Sequence, residues 1–172
     1  MEKYIEKAKK GDPDAFTILM QSHMQSMYKV ARSILKSDED VADAIQETIL
    51  TCWEKLRQLQ ENRYFKTWMT RILINKCNDL IQEKRQFLLE ETVPEVGVRD
   101  EQFTNVEWKE MLNTLDERYR LVMMLYYVEG FKTSEIGQIL EMPESTVRTR
   151  LARGREKLSV MYKIGDGRSV VI

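Results

Sequence analysis

Thr133–Leu158 reads TSEIGQILEMPESTVRTRLARGREKL. This is a short helix, a tight turn, and a longer helix loaded with arginine. Thr133 can cap the first helix, and Ile136, Ile139 and Leu140 give it an apolar side. Pro143 cannot extend a helix ending near Glu141, but it is tolerated where the next one begins. In the second helix Val147, Leu151 and Leu158 fall on one face, and Gly154 allows a neighbour to approach. Ser145, Thr149, Ala152 and Arg153 project from the opposite side, with Arg148 and Arg155 on a flank. That is the layout of a helix-turn-helix, in which one helix braces the second against the major groove. The plainer alternative is a helical hairpin with a solvated basic face.

Outward from this segment, helical periodicity continues almost throughout, and no strand-rich segment or internal repeat is present. The expected fold is all-α: two small helical domains joined by an acidic flexible linker, the second holding the helix-turn-helix. Asp12–Pro13 reads as an N-cap followed by proline at the first helical position. The helix behind it turns Phe16, Leu19, His23, Val30 and Ile34 to the core. Ser37, with Asp40 three residues on, opens a second helix in a capping-box-like pattern. Its apolar stripe is Val41, Ile45, Thr48, Ile49, Cys52, Leu56 and Leu59. A third helix is expected over Phe65–Arg85, with Trp68, Ile72, Leu73, Cys77 and Leu80 buried. Gln86–Asn105 holds Pro94 and Gly97, is strongly acidic and shows no steady period, so it reads as the linker. Helices resume over Val106–Leu115 and Glu117–Glu129, where Gly130 can terminate the second. The domains are therefore expected at 1–85 and 106–163, with the linker at 86–105 and a tail at 164–172, its end from Gly165 disordered.

The chain carries 27 basic and 28 acidic side chains, and this near balance hides strong segregation. Ser37–Glu54 has six acids and no base, whereas Arg63–Arg85 has six bases and two acids. Glu90–Glu110 has seven acids against two bases, and Ser145–Lys157 has five bases against Glu156. Two positive blocks between negative ones suggest two sites for a polyanion and other surfaces for proteins. In the third helix Arg71, Asn75, Asn78, Gln82 and Arg85 form one outward stripe, with Tyr64 and Phe65 beside it. Arg and Asn can read base edges, and single-stranded bases stack on aromatic and guanidinium planes. Any solvated helix needs a polar face, so periodicity alone favours an ordinary solvated face. The second helix turns Asp43, Gln46, Glu47, Leu50 and Glu54 away from its core, which is either a solvent-facing surface or a dock for a basic protein.

Signs of bond-making chemistry are sparse. His23 is the only histidine and Cys52 and Cys77 the only cysteines, so no zinc-type ligand set is in reach and buried thiols are expected. There is no phosphate-binding glycine loop and no Gly-x-Ser-x-Gly elbow. No enzyme activity and no cofactor or metal are expected. With no signal peptide or long apolar run, the reading is a cytoplasmic protein without membrane insertion.

Three segments in order, DVADAIQETILTCWEKL (Asp40–Leu56), FKTWMTRILINKCNDLI (Phe65–Ile81) and STVRTRLARGREKL (Ser145–Leu158), closely resemble bacterial extracytoplasmic-function sigma factors. The motifs that carry the resemblance are Gln46-Glu47, Thr67-Trp68, Arg71-Ile72 and Asn75, then Leu115, Tyr119-Arg120, Glu135-Ile136, Thr146-Val147-Arg148, Arg150, Arg153 and Arg155. The resemblance implies an alternative sigma factor that lends promoter specificity to core RNA polymerase and is controlled by an anti-sigma factor. Asp43, Gln46, Glu47 and Leu50 would meet the clamp helices of the largest subunit, with a further contact on the flap region. Asn62, Arg63, Tyr64, Lys66, Arg71, Asn75, Asn78 and Asp79 would engage the minus-ten element as single strand, a flipped base being captured near Leu59–Tyr64. Ser145, Arg148, Thr149, Ala152 and Arg153 would meet the minus-thirty-five duplex, with Arg150 and Arg155 on its phosphates. Two departures from the family pattern matter: Ala152 stands where some relatives carry a bulkier side chain, and Asp79 would repel a nearby phosphate. A stand-alone helix-turn-helix regulator is the alternative, and it has no need of the Gln46-Glu47 and Thr67-Trp68 motifs.

Overall fold

The computed structural model describes residues 1–90 and 106–165, and every regular element among them is helical. The chain divides into two compact units, Met1–Val98 and Arg99–Ile172.

The first unit begins with a helix absent from the sequence reading, α1 (Glu2–Lys9), which buries Ile5 and Ala8. Gly11, at φ +93°, lets the chain leave α1 in a left-handed turn, so that Asp12 can cap α2 (Pro13–Ile34). The Asp12 carboxylate accepts from the backbone N–H of Asp14 and of Ala15, both at 3.0 Å, and Pro13 occupies the first turn as expected. Helix α3 (Asp38–Lys55) is capped by Ser37, whose hydroxyl accepts from the Asp40 N–H at 3.2 Å. The reciprocal half of that capping box does not form. The short Asp40 side chain turns instead to Lys84 of α4 (Phe65–Glu90), at 2.7 Å.

Helices α2, α3 and α4 pack around Leu19, Met27, Val41, Leu56, Met69 and Leu73, each no more than 1% exposed. The apolar side of α4 is rotated from the expected one. Phe65, Met69, Thr70, Leu73, Ile74 and Cys77 are buried, while Trp68, Ile72 and Leu80 lie half-buried at its edges. The cause is that α4 meets two helices, α2 and α3, so the buried arc is broader than a single stripe and centred elsewhere. Helix α4 also continues past Arg85 to Glu90, because Gln86, Phe87 and Leu88 contain nothing that stops a helix. The rest of the expected linker lies outside the described residues. His23 is only half-buried, its ring set edge-on to Phe65 at 5.3 Å between centroids.

The second unit contains α5 (Val106–Asn113), α6 (Glu117–Met123), α7 (Thr133–Leu140) and α8 (Glu144–Gly165). Leu115, Tyr119, Val122, Met123, Leu125, Ile136, Ile139, Val147, Leu151 and Leu158 form its core. Helix α6 does not run regularly to Glu129: Met124–Val128 is a π-helical turn, followed by Gly130 at φ +73°. Arg120 closes the α5 end by donating to the carbonyls of Leu112 (3.2 Å) and Leu115 (2.9 Å). Together with buried Tyr119, this gives the Tyr119-Arg120 pair a packing and capping role. Helix α8 extends through Gly165, and the rest of the expected tail lies outside the described residues.

Candidate nucleic-acid and polymerase interfaces

The turn between α7 and α8 determines how the basic helix is presented. Glu141 takes φ 54°, ψ 45°, and the N–H of Met142 returns to the Gly137 carbonyl at 3.0 Å. Gly137 makes this turn close without strain: a Cβ would sit 2.9 Å from the Met142 carbonyl oxygen. At Gly154 a Cβ would meet the Met123 side chain at 3.1 Å, which is the close approach expected of that glycine.

Thr133 is not the N-cap of α7. Lys132 holds that position, and its N–H donates to the Glu135 carboxylate at 2.8 Å. The Thr133 hydroxyl donates across the turn to Glu144 Oε1 at 2.5 Å, and Arg148 donates to the same oxygen at 2.8 Å. A threonine at the start of α7 thus helps to orient an arginine on α8. These two hydrogen bonds, Thr133 first, hold the Glu144 carboxyl below its ordinary value.

Ser145, Arg148, Thr149, Ala152 and Arg153 are all exposed on α8, away from the buried Val147, Leu151 and Leu158. The Thr149 hydroxyl proton goes to the Ser145 carbonyl at 2.9 Å, leaving its oxygen as an acceptor. Arg150 lies half-buried on the other flank, where Arg118, Ser145, Thr149, Arg150 and Arg153 line a shallow basic cleft. Arg155 stands apart from this group, half-buried and donating to the Tyr127 hydroxyl at 3.1 Å. Its guanidinium is therefore partly engaged in holding α8 against the turn after α6.

In the first unit Arg71, Asn75, Asn78, Asp79, Gln82 and Arg85 are exposed along α4, and Lys66 is half-buried at its start. Two short helical turns, Leu56–Gln58 and Asn62–Tyr64, carry the loop in front of it. Arg63 stacks its guanidinium over the Tyr64 ring at 4.8 Å and pairs with Glu61 at 2.6 Å, while Tyr64 remains 40% exposed. Asn62 is half-buried, and its Oδ1 accepts from Lys9 Nζ at 2.7 Å. The reading of the sequence missed this tie, because nothing in the local pattern links two residues 53 positions apart. On α3, Asp43, Gln46, Glu47 and Leu50 are exposed, Leu50 at 58%, and Glu47 pairs with Lys76 of α4 at 3.8 Å.

Burial raises both thiols, Cys52 and Cys77, to about 12. Both are free and buried. No described helix is long and apolar enough to cross a membrane.

Every regular element among the described residues is helical, and the basic helix-turn-helix of the second unit marks a candidate nucleic-acid-binding protein. Comparison with known proteins makes the class specific. Residues 19–87 match the model of Sigma-70 region 2, and residues 106–158 match that of Sigma-70 region 4. The chain is 30% identical to the RNA polymerase sigma factor NccH of Alcaligenes xylosoxydans xylosoxydans, over 94% of each chain. It is 29% identical to the ECF RNA polymerase sigma factor SigW of Bacillus subtilis, over 92% of this chain and 94% of that one. Among solved structures, CnrH in complex with the cytosolic domain of CnrY superposes with a TM-score of 0.72 at 27% identity, over 96% of this chain and 98% of that chain. The protein belongs to the extracytoplasmic-function family of RNA polymerase sigma factors.

Proposed function

We propose that this chain binds core RNA polymerase and directs it to promoters by reading two separated DNA elements, and that an anti-sigma factor holds it inactive. The observation that carries the reading is the pair of segregated faces, each lying within one of the two family matches. The Arg/Asn stripe lies within the region 2 match, and the arginine-bearing α8 within the region 4 match.

The work is divided among the faces by their chemistry. On α8, Arg148 and Arg153, with Ser145, Thr149 and Ala152, meet base edges in the major groove of the minus-thirty-five element. Arg150 faces phosphate, and Arg155 contributes there while bracing α8. On the first unit, Asn62, Arg63, Tyr64, Lys66, Arg71, Asn75, Asn78 and Asp79 line the path of the opened minus-ten strand. The Arg63–Tyr64 stack is a ready platform for an extruded base. The face of Asp43, Gln46, Glu47 and Leu50 meets the polymerase: an exposed leucine ringed by acids suits the clamp helices of the largest subunit. The second unit adds a contact on the flap region. Two weak sites held on one polymerase gain effective concentration, so neither need bind DNA tightly alone. The functional division follows at 1–85 and 106–163. Two observations support inhibitor control: CnrH was solved in complex with the cytosolic domain of CnrY, and its fold covers nearly the whole of this chain.

The test is reconstituted transcription with purified protein, bacterial core polymerase and a promoter pool, sequencing the transcript starts. Starts behind a shared two-block motif support the reading. Tight duplex binding without polymerase, together with silence on every template, would move the assignment to a stand-alone regulator.

A further inference from the structure

The loop from Leu59 to Tyr64 has no hydrogen-bonded ladder to hold it, yet two contacts tie it to the end of α1 and a third fastens the turn just before it. Lys9 Nζ donates to the Leu59 carbonyl at 2.5 Å and to Asn62 Oδ1 at 2.7 Å. Arg57 Nε, in the turn before the loop, donates to the Lys9 carbonyl at 3.2 Å. Helix α1 is itself placed by burial of Ile5 and Ala8 and by the left-handed turn at Gly11. Lys9 therefore reaches the loop from a fixed base. All of α1 lies ahead of residues 19–87, so the region 2 match assigns it no role.

The Lys9 bond also determines what Asn62 can offer. An ammonium carries three donors and no acceptor, so it can only face the carboxamide oxygen. That orientation leaves the Nδ2 amide as the remaining polar group of the side chain, and Nδ2 is not a buried, unpartnered atom. Were the lysine absent, the carboxamide could rotate by half a turn and present an acceptor in place of a donor.

We infer that Lys9 is a positioning residue for minus-ten recognition, which pins the Leu59–Tyr64 loop and locks Asn62 as a hydrogen-bond donor toward the extruded base. The inference rests on the proposed role of this loop in capturing that base. A locked donor selects bases that present an acceptor at that point and disfavours those that present an amine. A rotating carboxamide accepts both.

The test uses the full chain with core polymerase on a promoter library randomised through the minus-ten element, sequencing the transcripts for Lys9→Met, Lys9→Arg, Asn62→Asp and the unaltered protein. With Lys9→Met, base preference at one minus-ten position should fall roughly tenfold, the size expected when a charge-assisted hydrogen bond is lost, while the minus-thirty-five preference is unchanged. Lys9→Arg should retain most of the preference. Asn62→Asp keeps a strong partner for Lys9, so the loop stays held, but it replaces the donor by an acceptor; preference at the same position should change identity. Asn62→Asp carries the test if Lys9→Met is too unstable to assay. A uniform loss of transcription by Lys9→Met with the base profile intact makes Lys9 a structural residue only and overturns the inference. So does an unchanged profile in Asn62→Asp. If the unaltered protein shows no minus-ten preference at all, the proposed role of the loop fails first, and the inference with it.

Discussion

Replacing Gly137 by alanine tests whether the helix-turn-helix is assembled as described. Alanine is favoured over glycine in a helix interior by about 1 kcal/mol, so on local propensity alone both Gly137→Ala and Gly154→Ala would stabilise the protein. Tertiary contacts separate them. At 137 the new methyl would lie 2.9 Å from the Met142 carbonyl oxygen and 3.6 Å from the Glu144 nitrogen. These are backbone atoms of the turn and of the first residue of α8, so relief requires the recognition helix to shift at its base. Overpacking of this kind costs roughly 1–3 kcal/mol, leaving a net destabilisation of up to about 2 kcal/mol after the propensity gain. At 154 the contacts are Met123 Cγ and Sδ, both at 3.1 Å, on a side chain that can change rotamer. The expected effect there is within about 1 kcal/mol of neutral. Amide hydrogen exchange across α7 and α8 reads the local free energy of opening for each variant in the intact chain. Binding to a minus-thirty-five duplex then reports whether α8 has moved. A Gly137→Ala protein at least as protected as the original, with unaltered DNA preference, would refute the packing argument.

Other expectations follow from the same contacts. Arg148→Ala should cost about 1–3 kcal/mol of discrimination at one minus-thirty-five position, whereas Arg155→Ala should weaken all sequences alike, as binding assays at several salt concentrations will distinguish. Because Arg155 also donates to Tyr127, its substitution should lower thermal stability as well, and by more than Arg148→Ala, which removes only an exposed ion pair. The Glu144 carboxyl is held low, so its contribution is present above the ordinary carboxylate value of 4.5 and is lost as pH falls through the lowered one. Thr133→Val should raise that titration toward the ordinary value, as carboxyl NMR will show. For Cys52 and Cys77 the sign is opposite: folded thiols raised to about 12 from 9.0 leave stability intact below pH 9 and reduce it as pH climbs toward 12. Both should resist alkylation at pH 8 until the chain is unfolded. Leu50→Ala, on an exposed side chain, should change stability by less than about 0.5 kcal/mol yet weaken capture by core polymerase in a pull-down titration.

Much of this molecule was legible from local pattern. Asp12–Pro13 and Ser37 announce their helix starts because caps are short-range chemistry, satisfied within three residues. The stripe on α4 and the outward residues of α8 follow from the helical period, as does the acid-edged face around Leu50. The resemblance to the family supplied the proposal for which of these faces meet DNA and which meets the polymerase, something periodicity had left open.

What local pattern could not supply depends on contacts between distant parts of the chain. The buried arc of α4 centres on Met69, Thr70 and Leu73 because two helices cover it, and a single-helix stripe has no knowledge of its neighbours. Helix α1, only eight residues long, is too short to be stable alone and exists through its packing on α2. Thr133 has the composition of a cap, but Glu144 lies close enough in the folded unit to take its hydroxyl. Lys9 and Asn62 meet across 53 positions. Hydrophobic period and capping are properties of a few consecutive residues, so most of the helices and most of their outward faces could be read locally. Only tertiary structure decided which side chains hold those faces in place, since such pairings are made by packing and not by proximity along the chain.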